Sequence, residues 1–353
     1  MERYSYFIRR LLLMIPTLLG VTILVFILCL FVPGGPIEQA MAEMRGMGAG
    51  GGEAGVSAGG NGAAVGITED YRKVLEKQFH RDKPIPVQYK IWLIDDKFGM
   101  ARDSYKYSNK TVWQLISEKF PISLTFGITS FVLTYLICIP LGIAKALKNG
   151  TPFDGISSIV VLAMYAIPAF AFGMILKTLF CGTSDQFWDL FPIGGFRSEN
   201  FDELSFWGQV KDQAHHMFLP VLCYIIGNFA FLTLLQKNAM LDQISQDYVR
   251  TVLAKGGTMK IAVWRHALRN ALIPIATGIG GILSLMFAGS VLIEIVFDIP
   301  GIGLLSFDSA VNRDFAVVMG LITLGSLVAM LGRILSDFCY VLIDPRINFG
   351  KEA

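Results

Sequence analysis

Charge is scarce in this chain. Of its 353 residues only 16% are Asp, Glu, Lys or Arg, whereas 53% are hydrophobic. A soluble domain carries about 25% charged residues, so the chain lacks the polar surface that a water-soluble protein of this size needs. The usual count of one soluble domain per ~150 residues therefore does not apply. Cysteine is scarce too: Cys29, Cys138, Cys223 and Cys339 fall within apolar runs and Cys181 at the edge of one. None has C-x-x-C spacing, so neither a disulfide framework nor a zinc site is indicated. Histidine is rarer still, and the one pair, His215-His216, is adjacent. On a helix two such side chains point about 100° apart, as suits interfacial residues better than metal ligands. Catalytic patterns are missing: there is no H-E-x-x-H, no G-x-S-x-G and no G-x-x-x-x-G-K-[ST]. Gly256-Gly257-Thr258 lacks the spacing and the lysine of a phosphate loop. A formal net charge of +2 leaves no footprint for nucleic acid.

Long apolar runs are what the chain has. Six reach the ~20 residues that cross a bilayer, near Phe7–Val32, Ile122–Leu147, Ile156–Phe180, Leu219–Leu235, Leu272–Phe297 and Ala316–Ile343. They predict an all-α membrane protein with six transmembrane helices, the fourth being the shortest. Arg9-Arg10 before the first run suggest a secretory signal. Yet Leu11 to Val32 exceeds a signal h-region and ends in Pro33-Gly34-Gly35-Pro36 with no A-x-A site, so a retained helix is expected.

Charge in the short loops sets the orientation. Arg3, Arg9 and Arg10 at the N-terminus, Lys145 and Lys148 after the second run, and Arg346 and Lys351 in the tail mark one side. The 236–271 connection shares that side, with Lys237, Arg250, Lys255, Lys260, Arg265 and Arg269 against Asp242 and Asp247. The opposite side holds the acidic 181–218 and 298–315 connections. Both termini are expected in the cytoplasm. The expected organisation is residues 1–32 as N-terminus and first span, 33–121 as a periplasmic segment, and 122–353 as a core with a cytoplasmic loop at 236–271.

The 33–121 segment is far longer than a connector needs. Gly46–Gly66 is too glycine-rich to bury a core and reads as a flexible linker. After it, Thr68 can cap a helix stopped by Pro84, with Tyr71, Val74, Leu75 and Phe79 as its apolar stripe. VQYKIWLIDDKFGM, from Val87, predicts a second amphipathic piece. The region is either a docking surface for a soluble partner or a small cap. In 181–218, Trp188, Phe191, Phe196, Phe201, Phe206 and Trp207 interleave with carboxylates. They either line a path for solutes or form an interfacial belt.

Ionisable residues inside the spans carry a cost. Arg333 and Asp337 are four apart, which predicts an internally neutralised pair on one helix face. Gly325, Ala329, Gly332 and Ser336 on that helix form a small-residue packing seam. Glu294 and Lys177, near span ends, are expected to snorkel.

The most unusual stretch is YVRTVLAKGGTMKIAVWRHALRNALIP, Tyr248 to Pro274, with five Lys or Arg residues and no acid. Val249, Val252, Leu253 and Gly256 share one face of a short helix; Ile261, Trp264 and Leu268 mark a second after the Gly-Gly break. Two short basic helices cannot span a bilayer. They can lie on its surface or insert into a groove of another protein.

The stretch resembles the cytoplasmic EAA loop of importer-type ABC permeases, in the form seen in dipeptide and oligopeptide permeases. The family core Y-V-R-T-x-x-A-K-G is matched by Tyr248, Val249, Arg250, Thr251, Ala254, Lys255 and Gly256. Its continuation R-H-A-L-R-N-A-x-[IL]-P is matched from Arg265, His266 and Leu268 to Pro274. IRRLLLMIPTLLGV at 8–21, VPGGP at 32–36, GSVLIEIVFDIPGIGLL at 289–305, RDF at 313–315 and DPRINF at 344–349 agree. NGTPFDGISS at 149–158 and YAIPAFAF at 165–172 are most similar to the Yej-type B branch, linked to peptide and microcin C uptake. Arg250-Thr251-Val252 stands where the broader pattern has Glu-Ala-Ala, Val252-Leu253 replaces the more frequent Ala-Arg, and the Gly46–Gly66 insertion lies outside the family pattern.

The resemblance implies a type I ABC importer permease fold in the bacterial inner membrane and a non-catalytic subunit of a peptide importer. It implies pairing with a second, homologous permease as a heterodimer, two ABC ATPase domains below, a periplasmic peptide-binding protein above, and contact with membrane lipid. ATP and magnesium would sit on the ATPase subunits, with no cofactor on this chain. Tyr248, Arg250, Thr251, Ala254, Lys255, Gly256, Arg265, His266 and Leu268 would form the ATPase-coupling loop, with Gly256 at its turn. The rival reading is a stand-alone channel or secondary transporter with the loop on anionic lipid; such proteins show inverted repeats, and none is evident. If 33–121 is periplasmic, cysteines at Ser57 and Ser104 should react with an impermeant thiol reagent in intact spheroplasts. Labelling only after lysis would reverse the orientation.

Overall fold

The computed structural model describes residues 2–32, 80–107, 109–182, 188–276 and 290–343, with positions 37, 38, 41, 72–74, 76, 77 and 278 besides. The Gly46–Gly66 insertion, most of the fifth apolar run and the DPRINF tail lie outside the described residues. Everything regular in the described part is helical: α1 (Glu2–Phe31), α2 (Ile85–Lys90), α3 (Val112–Leu147), α4 (Pro152–Ala166), α5 (Ala169–Phe180), α6 (Phe206–Ile244), α7 (Asp247–Ala254), α8 (Met259–Ile261), α9 (Leu268–Ala271), α10 (Val291–Val296), α11 (Ile302–Val311) and α12 (Phe315–Ile343). Four of these are long and apolar enough to cross a membrane, and five spans result if α4 and α5 count as one.

The departures from the sequence reading have local causes. Ile156–Phe180 is not one straight span, because α4 and α5 meet at a 91° bend. Pro168 pushes the residue before it out of the helical region, and Ile167 is extended at φ −93° and ψ 121°. The fourth run, expected to be the shortest, is the longest helix: α6 extends from Phe206 through polar residues that hydropathy assigned to loops. Ser205 caps it, its side chain accepting from the Gly208 amide at 3.3 Å. Side-chain hydrogen bonds make the polar extension stable. Ser198 Oγ bonds to Asp212 and lies 3.1 Å from His216 Nε2, Gln213 Nε2 donates to the Phe196 carbonyl, and His215 Nε2 lies 2.6 Å from the Leu190 oxygen. Adjacent histidines thus serve two different anchors. Of the aromatics in this connection, Trp188, Phe206 and Trp207 are exposed, while Phe191 and Phe196 pack on the core.

By packing, the chain divides into two units. The first comprises Met1–Met14, Lys119–Leu305 and Leu327–Ala353. Its core brings Phe126 and Cys138 of α3, Val161 of α4, Met217, Val221, Ile225 and Phe229 of α6, and Phe297 together. Here Asp337 departs from expectation. Its partner is Arg10, supported by the Tyr6 hydroxyl, which donates to Asp337 Oδ2 at 3.2 Å and accepts from Arg10 at 2.6 Å. Arg333 is exposed, with no partner among the described residues. A partner on another helix won because Asp337 is buried, facing inward, while Arg333 lies on the outward face. The small-residue seam does pack: Gly332 and Ser336 are buried, and Ser336 Oγ donates to the Ala276 carbonyl.

Glu294 also differs. It is 1% exposed rather than snorkelling, and its Oε2 accepts the Leu304 amide at 2.6 Å. It caps the N-terminus of α11, where amides have no partner inside the helix. Gly301 and Gly303 make room, since a Cβ at Gly301 would stand 2.6 Å from the Glu294 carboxyl. Lys177 does reach a helix end as expected, donating to the Val296 carbonyl at 2.6 Å and Asp298 at 3.0 Å.

The second unit comprises Ile15–Glu118 and Ser306–Ser326. The amphipathic piece predicted after Pro84 is α2 continued by a π turn, Ile91–Asp95. Its Trp92 is 1% exposed and clusters with Phe26, Tyr89 and Met319. Ser104 is buried, its hydroxyl on Asp314, so the exposed Ala101 is the better labelling position in that segment. For the intramembrane pair, Asp337→Ala should lower the thermal midpoint of the purified protein more than Arg10→Ala combined with Asp337→Ala, because the single change strands a cation. A double variant worse than the single one would refute the pairing.

Candidate functional site

Beside the basic stretch a charge cluster ties three helices together. Lys145 of α3 has no exposed surface. Its Nζ donates to the Asp154 carbonyl at 3.1 Å, Ser157 Oγ at 2.8 Å and Ser158 Oγ at 2.7 Å, and lies 3.1 Å from Asp154 Oδ1. Lys237 of α6 reaches both oxygens of the same carboxylate at 2.8 Å. Asp154, in the first turn of α4, therefore bridges α3, α4 and α6. Sequence reading took Lys145 for a loop charge; folding buries it because serine hydroxyls and a carboxylate sit one turn into the next helix.

From this cluster α6 runs on to Ile244, and α7 follows. Its inward face is Val249, 1% exposed, with Tyr248 and Val252 beside it against Ile143, Ala146, Ala239 and Met240. Tyr248 Oη donates to Gln243 Oε1 at 2.8 Å and accepts from Asn270 Nδ2 at 3.4 Å. Helix α7 ends in a Schellman turn: the Gly256 amide donates to the Leu253 carbonyl and the Gly257 amide to the Val252 carbonyl, both at 3.0 Å. Gly256 stands at φ +84°, where a side chain is strained although space is open. Gly257 is needed for a different reason, since its Cβ would meet Val252 Cγ1 and O at 2.8 Å. Thr258 then caps α8, accepting from the Ile261 amide.

The second short helix follows the Gly-Gly break as expected. Its core face consists of small residues, Ala262, Val263, Ala267 and Ala271, all buried. Ile261 and Trp264 point outward, Trp264 at 54% exposure, and Leu268 packs inward. A π-helical stretch, Ala262–Ala267, joins α8 to α9. Small side chains let the backbone approach α3 and α6 closely.

Of the nine residues singled out from the sequence, Arg250, Thr251, Ala254, Lys255, Gly256, Arg265 and His266 are exposed, whereas Tyr248 and Leu268 face the core. Exposed beside them are Leu253, Met259, Ile261, Trp264, Lys260 and Arg269. The outward face is thus apolar patches among five cations, against one nearby carboxylate: Asp247 lies 3.6 Å from Arg250.

These features describe an integral membrane protein that presents a basic, partly apolar loop clamped to its helix ends. The chain belongs to the family of binding-protein-dependent transport system inner membrane components, whose model matches residues 138–349. It is 39% identical to the "Peptidoglycan transport system permease protein YejB" of Agrobacterium fabrum, over 99% of both chains. It is 40% identical to the "Inner membrane ABC transporter permease protein YejB" of Escherichia coli O157:H7, over 98% of this chain and 99% of that one. The "Oligopeptide transport system permease protein AppB" of Bacillus subtilis is 32% identical over 98% of this chain and 99% of its own length. These relatives are named as permeases, and the chain is a non-catalytic, multi-pass inner-membrane subunit.

Removing the central carboxylate tests the clamp. Asp154→Asn leaves two ammonium groups facing each other, so the purified protein should lose several degrees of thermal midpoint. Lys237→Ala, which leaves the Lys145–Asp154 pair intact, should cost less; equal losses would argue against Asp154 as the bridge.

Proposed function

We propose that this chain is the permease subunit of an ATP-driven, binding-protein-dependent peptide importer. The family to which it belongs and relatives named for oligopeptide and peptidoglycan transport support this reading. Six spans with both termini in the cytoplasm, residues 33–121 in the periplasm, and a second homologous permease completing a heterodimer are the arrangement we adopt. A periplasmic peptide-binding protein delivers the cargo, and two ABC ATPase domains bind ATP and magnesium on the other side. The stand-alone channel or secondary transporter is not favoured, because membership in this family ties the chain to a binding protein.

One observation carries the coupling role: the loop has two unlike faces. Its inner face, with Val249, Val263 and Ala267, is packed against α3 and α6, and its outer face presents Arg250, Lys255, Arg265 and Trp264. A short helix with exposed apolar anchors among charges suits a groove in another protein. Because the inner face is fixed to the helix ends, movement of an ATPase cleft around the outer face becomes a rigid-body movement of the spans. Tyr248 and Leu268 hold the loop in place, while Arg250, Thr251, Ala254, Lys255, Arg265 and His266 meet the ATPase.

Uptake of two- to five-residue peptides into proteoliposomes holding the complete importer tests the function; no ATP-dependent uptake of any of them would sink it. Gly256→Val tests the loop. A β-branched residue at positive φ is strained by on the order of 1–3 kcal/mol. The permease should therefore still insert, recover roughly tenfold less ATPase on co-purification, and import no peptide. Arg250→Glu should weaken the same contact in a salt-dependent way. Normal ATPase recovery and uptake in both variants would remove the coupling role.

A further inference from the structure

Halfway along α3 and α6 a cavity of about 260 Å³ opens between the two helices. Both helices are long and apolar enough to cross a bilayer. Its walls include Phe131, Tyr135, Tyr224 and Phe231, and its polar groups are Ser130, Thr134 and Asn228. Among the described residues no Asp, Glu, Lys, Arg or His lines it.

Most of those polar groups are already committed to the walls. Thr134 Oγ1 donates to the Ser130 carbonyl at 2.7 Å, Tyr135 Oη to the Ile275 carbonyl at 3.3 Å, and Tyr224 Oη accepts the Ser290 amide at 2.9 Å. Two groups are left. Ser130 is 6% exposed, yet its Oγ has no hydrogen-bond partner among the described residues. A helical serine ordinarily bonds back to a carbonyl one turn earlier, and leaving a buried hydroxyl unmade is costly. Asn228 is exposed to the open side of the cavity and makes no hydrogen bond among the described residues.

We propose that Ser130 and Asn228 form a subsite for the uncharged backbone amides of a passing peptide, whose side chains slide over the aromatic walls. The inference rests on the peptide-importer reading and names a part of its pathway. An amide both donates and accepts, as does the Asn228 side chain, and Ser130 can do either. The absence of charge makes the subsite indifferent to which ionised side chain goes by, and keeps binding weak. A pathway site has to be favourable enough to enter and weak enough to leave. The volume is below the roughly 300–1,000 Å³ of a drug-sized ligand pocket, so the subsite holds a residue or two at a time.

The test uses the complete importer in proteoliposomes with its binding protein outside and ATP inside, and trialanine as probe. Asn228→Leu and Ser130→Ala should each raise the KM for uptake about threefold to tenfold. They should also raise the ATP hydrolysed per trialanine imported, because the ATPase cycle continues while capture fails. Asn228→Asp places a charge in the neutral cavity and should shift uptake about tenfold toward Lys-Ala-Ala over Glu-Ala-Ala. Unchanged KM and unchanged selectivity would overturn the subsite. So would a parallel fall of uptake and ATPase in every variant, which marks a structural role. If the unaltered importer moves none of the two- to five-residue peptides with ATP, trialanine included, the peptide reading itself fails, and the subsite with it.

Discussion

Asp154 is the point on which the loop end of the first unit depends. One carboxylate faces the ammonium groups of Lys145 and Lys237, and Lys145 has no exposed surface at all. Removing two cations from water is unfavourable unless charge and hydrogen bonds replace the lost hydration. Here the carboxylate, a backbone carbonyl and two serine hydroxyls do so. Three helix ends are therefore set at fixed spacing, and the basic loop rests directly on two of them. A loop on frayed ends could not transmit a displacement, whereas a loop on a clamped corner moves with the helices.

The same accounting of backbone groups recurs where the chain is irregular. In an apolar setting every amide and carbonyl needs an internal partner. Glu294 supplies one to the first turn of α11, the Schellman turn satisfies the last carbonyls of α7, and Pro168 breaks the α4–α5 run at a place where no amide is lost. Glycine serves two separate purposes within this scheme. At Gly256 it permits a positive φ, and at Gly257 and Gly301 it removes a Cβ that would collide with a neighbour.

Rigidity at the helix ends and looseness at mid-helix are complementary demands on a transporter. Around the Asp154 carboxylate the ammonium groups of Lys145 and Lys237 are matched by charge and hydrogen bonds. Between α3 and α6 near Ser130 and Asn228, hydrogen-bonding capacity is left over within an aromatic frame. In the proposed function the matched corner receives the ATPase movement and the unmatched cavity meets the cargo.

The apolar runs alone were enough to establish the class of protein, because long stretches without charge have no other stable setting. They also placed α12 almost to the residue, and the Y-V-R-T and R-H-A-L-R-N motifs carried the family. What hydropathy could not read was any polar residue whose partner lies far along the chain. Phe206 to Phe218 joined α6 because loop residues near Ser198 bind Asp212 and His216, and Asp337 chose Arg10, more than three hundred residues away, over Arg333 on its own helix. Lys145 and Glu294 were read as surface charges for the same reason. In the basic loop, the sequence marked two short helices and the Gly-Gly turn between them. It did not say which face of the second helix packs: the structure turns Ala262, Val263 and Ala267 inward and leaves Ile261 and Trp264 exposed. Close approach to α3 and α6 selects for small residues there, and only the folded neighbours determine how close a backbone must come.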